Sequence, residues 1–322
     1  MIPSFTRFRV RETVRWGVVL ALGTALISGV SIYANAFAVK QLPDPAVYTT
    51  IKNGVAAILL LAVLGLTVRP STIRAVPARS WAWLLAIGVI GGSLPFLLFF
   101  NGLAQASAPS AAFIHKTLFV WVAILAVPLL GERLGAVQLA ALGVLVAGQV
   151  LILTPANITW GRGETMIAAA TLLWALETII ARRVLRAVPA QVVGAARLGI
   201  GLVVLVGYLG VSGKLQAVAV LTPEQWRWAI LTGLLLSGYV ATWFGALKRA
   251  PASLVTAVIV LGAPVTAALQ AVQAGSIAIG PVVLGQLLVL VAGGSLALGA
   301  VARRSSAVSA RVVAPAAAGT LG

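Results

Sequence analysis

Five ionisable side chains stand inside long apolar runs of this 322-residue chain: Lys52, His115, Lys116, Glu177 and Arg197. One carboxylate, one imidazole and three cations can hold charged groups or pass a proton. They do not compose a hydrolytic centre. No aspartate lies within an apolar run, and a single histidine rules out a His-Glu-x-x-His motif. The chain has no cysteine, so a thiolate metal site is excluded, and one histidine is too few for an imidazole-based one. No metal and no cofactor are expected. A phosphate-binding loop is absent too, which argues against an ATP-driven pump.

An ionisable group at the centre of a membrane span costs about 2.5–3.5 kcal/mol on insertion scales, so each of the five needs a reason. Glu177 and Arg197 fall at similar depth with opposite charge and are expected to form an ion pair between neighbouring helices. Lys116 is expected to line a cavity as a cation. Adjacent His115 points about 100° away from it on a helix, so the two do not face the same centre. His115 reads mainly as a packing residue, and His115 and Glu177 are the candidate proton carriers. Lys52 has two readings, snorkelling to the interface or joining Lys116 at the cavity. Ser93, Trp174, Tyr239 and Trp243 fall near midplane, and the three rings could offer flat faces to an apolar side chain or an ammonium group. The expected substrate-binding set is therefore Lys116, Ser93, Trp174, Tyr239, Trp243 and Glu177. Glycines and serines at the same depth, Ser28, Gly29, Ser31, Gly91, Gly92, Ser237, Gly238 and Gly262 among them, read as helix packing. Pro95 and Pro264 free backbone carbonyls inside spans.

The chain that must position these groups is 61% hydrophobic and 9% charged, with mean hydropathy +1.07. So few charges cannot cover a water-facing surface, and the lipid bilayer is the expected surrounding. Ten apolar segments are long enough to span: 16–39, 46–68, 81–104, 108–130, 134–153, 164–185, 190–211, 226–247, 252–274 and 281–302. Period-two alternation is missing, so the spans are helices and not barrel strands. The first run exceeds a signal-peptide core in length and is read as a helix. The net charge of +17 follows topology: 16 basic residues fall on one set of helix ends, 4 on the other. The positive-inside rule then places both termini in the cytoplasm of a bacterial inner membrane, and no nucleic-acid partner is implied.

"WAWLLAIG" at 81–88 returns as "WRWAILTG" at 226–233, an offset of 145. At the same offset Lys52-Asn53-Gly54 falls on Arg197-Leu198-Gly199, and Phe99 on Phe244. This is an internal duplication. Each copy holds five spans, an odd number, so the second enters the membrane inverted. Residues 16–153 and 164–302 are expected to form the two repeats, 1–15 a cytoplasmic N-terminal segment, and 303–322 a disordered cytoplasmic tail. Inverted repeats are a recurrent plan for secondary transporters, with the site at midplane between the halves. A monomer suffices for it, and the sequence leaves the oligomeric state open.

Two stretches carry a family resemblance. "LLGERLGAVQLAALGVLVAGQVLI" (129–152) resembles the end of an EamA-type domain of the drug/metabolite transporter superfamily, and "LLWALETIIARRVL" (172–185) the opening helix of a second. The resemblance implies a ten-helix, 5+5 inverted fold and export of small metabolites, amino acids among them. Pro264 matches a mid-helix proline of the family. Phe119 stands at the equivalent place in the first half, and Ile277 stands opposite Glu132. Glu132 and Arg133 are expected to form a charge pair and a structural cap in a cytoplasmic turn. The combined expectation is a secondary exporter, not an enzyme, whose small-molecule substrates are hydrophobic or aromatic amino acids. The alternative is a multidrug or other metabolite exporter of the same superfamily. A channel or an intramembrane enzyme fits less well.

Overall fold

A computed structural model describes residues 4–42, 44–106, 108–153, 160–276 and 280–302. The expected tail at 303–322, Ile277 and most of the 154–163 connection lie outside them. The described residues are all-helical: α1 (Ser4–Gln41), α2 (Pro45–Thr67), α3 (Pro70–Arg74), α4 (Ala78–Gly92), α5 (Leu94–Leu103), α6 (Ala108–Lys116), α7 (Leu118–Leu130), α8 (Ala136–Leu153), α9 (Arg162–Val184), α10 (Ala190–Val211), α11 (Gln216–Ala219), α12 (Pro223–Arg249), α13 (Ala252–Ile259), α14 (Gly262–Ala274) and α15 (Pro281–Ala302). Among the described residues nine helices or helix pairs are long and apolar enough to cross a membrane, and Ala136–Ile152 supplies a shorter tenth.

The duplication is written into the helix starts. Helices α2, α4 and α8 begin at 45, 78 and 136, and α10, α12 and α15 begin at 190, 223 and 281, each 145 later. The short α3 and α11 occupy equivalent connections. Helix packing repeats as well: α1 lies against α12 and α14, and α9 against α5 and α7. The fold is thus a ten-span, 5+5 inverted repeat.

Three spans that read as continuous are broken. Pro95 has no N–H to give the Gly91 carbonyl, so α4 stops at Gly92 and α5 starts beyond Ser93. The equivalent position is Val240, and α12 runs through it. The fourth span of each half breaks at matching depth, α6 from α7 at Thr117 and α13 from α14 at Val260-Leu261. Pro264 accounts for the second break. The first forms without a proline: the Thr117 hydroxyl donates to the Ile114 carbonyl at 2.6 Å, closing a tight turn.

The ends sort into two faces. On the arginine-rich face Arg183 donates to the Leu129 carbonyl, Arg182 to Lys248, and Lys248 to Val188 at 3.1 Å. On the arginine-poor face Lys214 meets Asp44 at 2.6 Å, and Gln225 donates to the Gln41 carbonyl at 2.8 Å. Helix starts there are capped by sequence. Asp44 accepts from the Ala46 and Val47 amides ahead of Pro45, and Thr222 accepts from Gln225 ahead of Pro223.

Candidate functional site

Glu177 on α9 and Arg197 on α10 face each other with Nε 3.5 Å from Oε1. Their side chains are 2% and 6% exposed. The approach is loose: Oε1 of Glu177 and both Nε and Nη1 of Arg197 lack a properly directed hydrogen bond. Room for the pair comes from Gly91. A Cβ there would sit on the Glu177 side chain, 2.8 Å from Cδ, and 3.2 Å from Arg197 Nε. Gly92 does the same for the Arg197 backbone, and its Cβ would overlap the Arg197 carbonyl. The two glycines thus let α4 close on the pair.

The carbonyl released by Pro95 is not left open. Trp174 Nε1 donates to Gly91 O at 3.1 Å, and Asn53 Nδ2 to Gly92 O at 3.3 Å. Trp174 is 8% exposed, with Phe96 edge-on at 5.3 Å and the His115 ring at 5.1 Å. His115 also packs on Phe99 at 5.0 Å, and its Nδ1 has no partner. A proton on that nitrogen would find no acceptor, so the surroundings suit a packing residue better than a carrier. Lys116 is half-buried at the end of α6, beside the break.

Lys52 is the group whose surroundings the sequence leaves open. It is 4% exposed and does not snorkel. Its Nζ lies 5.2, 5.3 and 4.7 Å from the ring centres of Tyr48, Phe96 and Phe100. Its one hydrogen-bond partner among the described residues is Asn35 Oδ1 at 3.5 Å, which also accepts from the Tyr48 hydroxyl. Phe96 lies between two cations, 5.3 Å from Lys52 Nζ and 5.7 Å from Arg197 Cζ. Among the described residues the ion pairs are Glu177–Arg197, Asp44–Lys214 and Glu224–Arg227, so neither Lys52 nor Lys116 has a carboxylate. Asn35, Tyr48, Phe96 and Phe100 escape sequence reasoning because neutral side chains carry no depth signal. The alignment of Lys52 with Arg197 was the available pointer.

Other expected site residues are engaged locally. Ser93 is fully buried and donates to the Gly88 and Val89 carbonyls of its own helix. Tyr239 and Trp243 stack on each other at 6.0 Å with 16° between planes, and Trp243 is 4% exposed.

Glu132 corrects an expectation. It forms no ion pair with Arg133. Its carboxylate crosses to the second repeat, accepting from the Ala252 amide at 2.6 Å, the Ser253 amide at 3.2 Å and the Ser253 hydroxyl. It therefore caps α13, meeting the positive end of that helix. The turn explains its placement. Gly131 ends α7 at φ 69°, which turns the chain toward α13, and the Glu132 amide bonds back to Ala126. Helices α7 and α13 pack together on this face. Their continuations part, α6 going to α8 and α9, and α14 to α1 and α15. On the arginine-rich side, then, the fourth spans of the two halves are joined directly.

The sequence matches the EamA-like transporter family over residues 15–154 and again over 161–299. A search of curated proteins returned no match. Solved structures do match, 29 chains in all. One crystal structure aligns over 88% of this chain and 98% of its own, with TM-score 0.71 and 18% identity. At that identity the likeness shows the fold alone. The doubled family match spans nearly the whole chain and coincides with the two inverted halves, so the chain belongs to the EamA-like transporter family.

Proposed function

We propose that this membrane transporter exports small zwitterionic metabolites, hydrophobic or aromatic amino acids foremost, by alternating access across a bacterial inner membrane. One observation carries the substrate class. The buried Lys52 and the half-buried Lys116 have no carboxylate partner among the described residues, whereas Glu177, the carboxylate lying in a span away from the helix ends, faces Arg197. A cationic drug would need an uncompensated carboxylate, so the multidrug alternative is disfavoured. Trp174 and Phe96 supply apolar surface beside the cations. The outward direction follows the family resemblance.

Both termini are placed in the cytoplasm on the basic asymmetry of the helix ends. A cysteine at Val220, an exposed position on the arginine-poor face, is expected to react with an impermeant maleimide added to whole cells. Reaction only after lysis reverses the topology. The substrate is tested by counterflow in proteoliposomes across amino acids, nucleosides and cationic dyes. Saturable exchange of amino acids is expected. Exchange of dyes alone replaces this reading with the drug exporter.

A further inference from the structure

We propose that the Lys52 ammonium, framed by Tyr48, Phe96, Phe100 and Asn35, is the group that receives the carboxylate of the transported molecule. The inference rests on the transporter reading above and assigns an atom to it.

The repeat supplies the argument. Lys52 and Arg197 occupy the same position in the two halves, 145 residues apart. Each lies seven residues inside its helix, α2 or α10, about 10 Å from the end. Each touches the same ring, Phe96. Arg197 has a counter-charge in Glu177. The position that would supply one to Lys52, 145 before Glu177, is Ile32. Lys52 is nonetheless 4% exposed, so bulk water does not reach it. Three ring faces and one amide oxygen at 3.5 Å attract an ammonium but do not neutralise it. A cation taken out of water without a counter-ion is costly, and a ligand anion removes that cost on binding. The occupant this chemistry fits is a carboxylate attached to an apolar or aromatic body: the charge meets Nζ and the body meets the rings.

Asn35 permits a test that preserves size and fold. Asn35→Asp sets a fixed carboxylate where the amide oxygen already meets Lys52, filling the subsite from within. Lys52→Met removes the charge and keeps the apolar stem. Binding of L-phenylalanine, 3-phenylpropionate and their two carboxamides is measured on purified, monodisperse protein by intrinsic tryptophan fluorescence, with L-phenylalanine counterflow in parallel. Wild-type protein is expected to bind both carboxylates about tenfold or more tightly than the matching amides, the scale of one charge-assisted contact. Both variants are expected to lose that preference, and Lys52→Arg to keep it. Binding of 3-phenylpropionate that depends on Lys52, without phenylalanine counterflow, supports the subsite and overturns the amino-acid reading. Equal binding of acids and amides by wild type overturns the subsite. So does failure of both acids to bind, or an acid preference that survives in Lys52→Met and Asn35→Asp.

Discussion

The two repeat-related cations stand in opposite circumstances. Arg197 has a buried carboxylate 3.5 Å away, and α4 closes over the pair through Gly91. Lys52 has rings and a shared amide oxygen. Duplication produced two equivalent positions, and divergence at Glu177 and Ile32 made them electrostatically different. One half completes its charge internally, and the other leaves a charge to be completed. A neutralised pair in one half and an uncompensated cation at the equivalent position of the other give an inverted-repeat protein a polarity that its backbone symmetry lacks. The same contrast appears at the faces. Glu132 joins the halves on the arginine-rich side, and the sequence has Ile277 at the equivalent place on the other.

The comparison breaks most visibly if the filled half is emptied. Glu177→Ala leaves Arg197 buried without a counter-charge, and a loss of about 3–5 kcal/mol is expected. The double variant Glu177→Met with Arg197→Met should recover much of it. Denaturation in detergent of the wild type, the single variants Glu177→Met and Arg197→Met and the double variant reads the cycle, and additive losses would mean that the pair does not interact. Gly91→Ala should uncouple the pair from the opposite side, at about 1–3 kcal/mol for overpacking.

A smaller effect sharpens the contrast between the faces. Glu132→Ala removes the cap of α13 and its contact with the helix dipole, worth about 1–2 kcal/mol. Loosening is expected on the arginine-rich side alone. Hydrogen exchange should rise at the start of α13 while the start of α2 stays protected. Equal change at both ends would show that Glu132 supports the fold generally and does not act as a clasp.

The smallest effect belongs to Asp44 and Lys214. Burial raises the Asp44 carboxyl, but hydrogen bonds from Lys214 and the Val47 and Ala46 amides outweigh it and leave the group below its ordinary 3.8. The Asp44 hydrogen bond in turn raises Lys214 above 10.5. A depressed acid contributes stability above its unfolded value and loses it as pH falls through the folded one. A raised base contributes below its unfolded value and loses it as pH rises through the folded one. The pair is therefore expected to be flat through neutral pH and to fail only below about pH 4 and above about pH 10. Asp44→Asn keeps the cap and loses the partly exposed ion pair, about 0.2–1 kcal/mol. A larger cost measured between pH 6 and 8 would show that this contact also clasps its face.

Much of this was legible in the chain alone. Hydropathy fixes the spans, because a bilayer leaves an apolar segment little choice but helix. The 145-residue offset and an odd span count fix inversion, because a chain that crosses five times ends on the far side. Charge and depth foretell that Glu177 and Arg197 would need one another. The breaks were harder to read. Pro95 announces one, and the turn at Thr117 depends on a hydroxyl that the sequence does not distinguish from any other threonine. What surrounds Lys52 could not be read, because rings on α2 and α5 and an amide on α1 meet only after packing. Glu132 is similar. Its partner lies 120 positions away in the other repeat, and one-dimensional proximity points instead to Arg133. Sequence determines which groups are costly in lipid, since that cost belongs to each residue and its depth. Tertiary structure decides which costs are met and which are left for a ligand, since that depends on distances of a few ångströms between helices far apart in the chain.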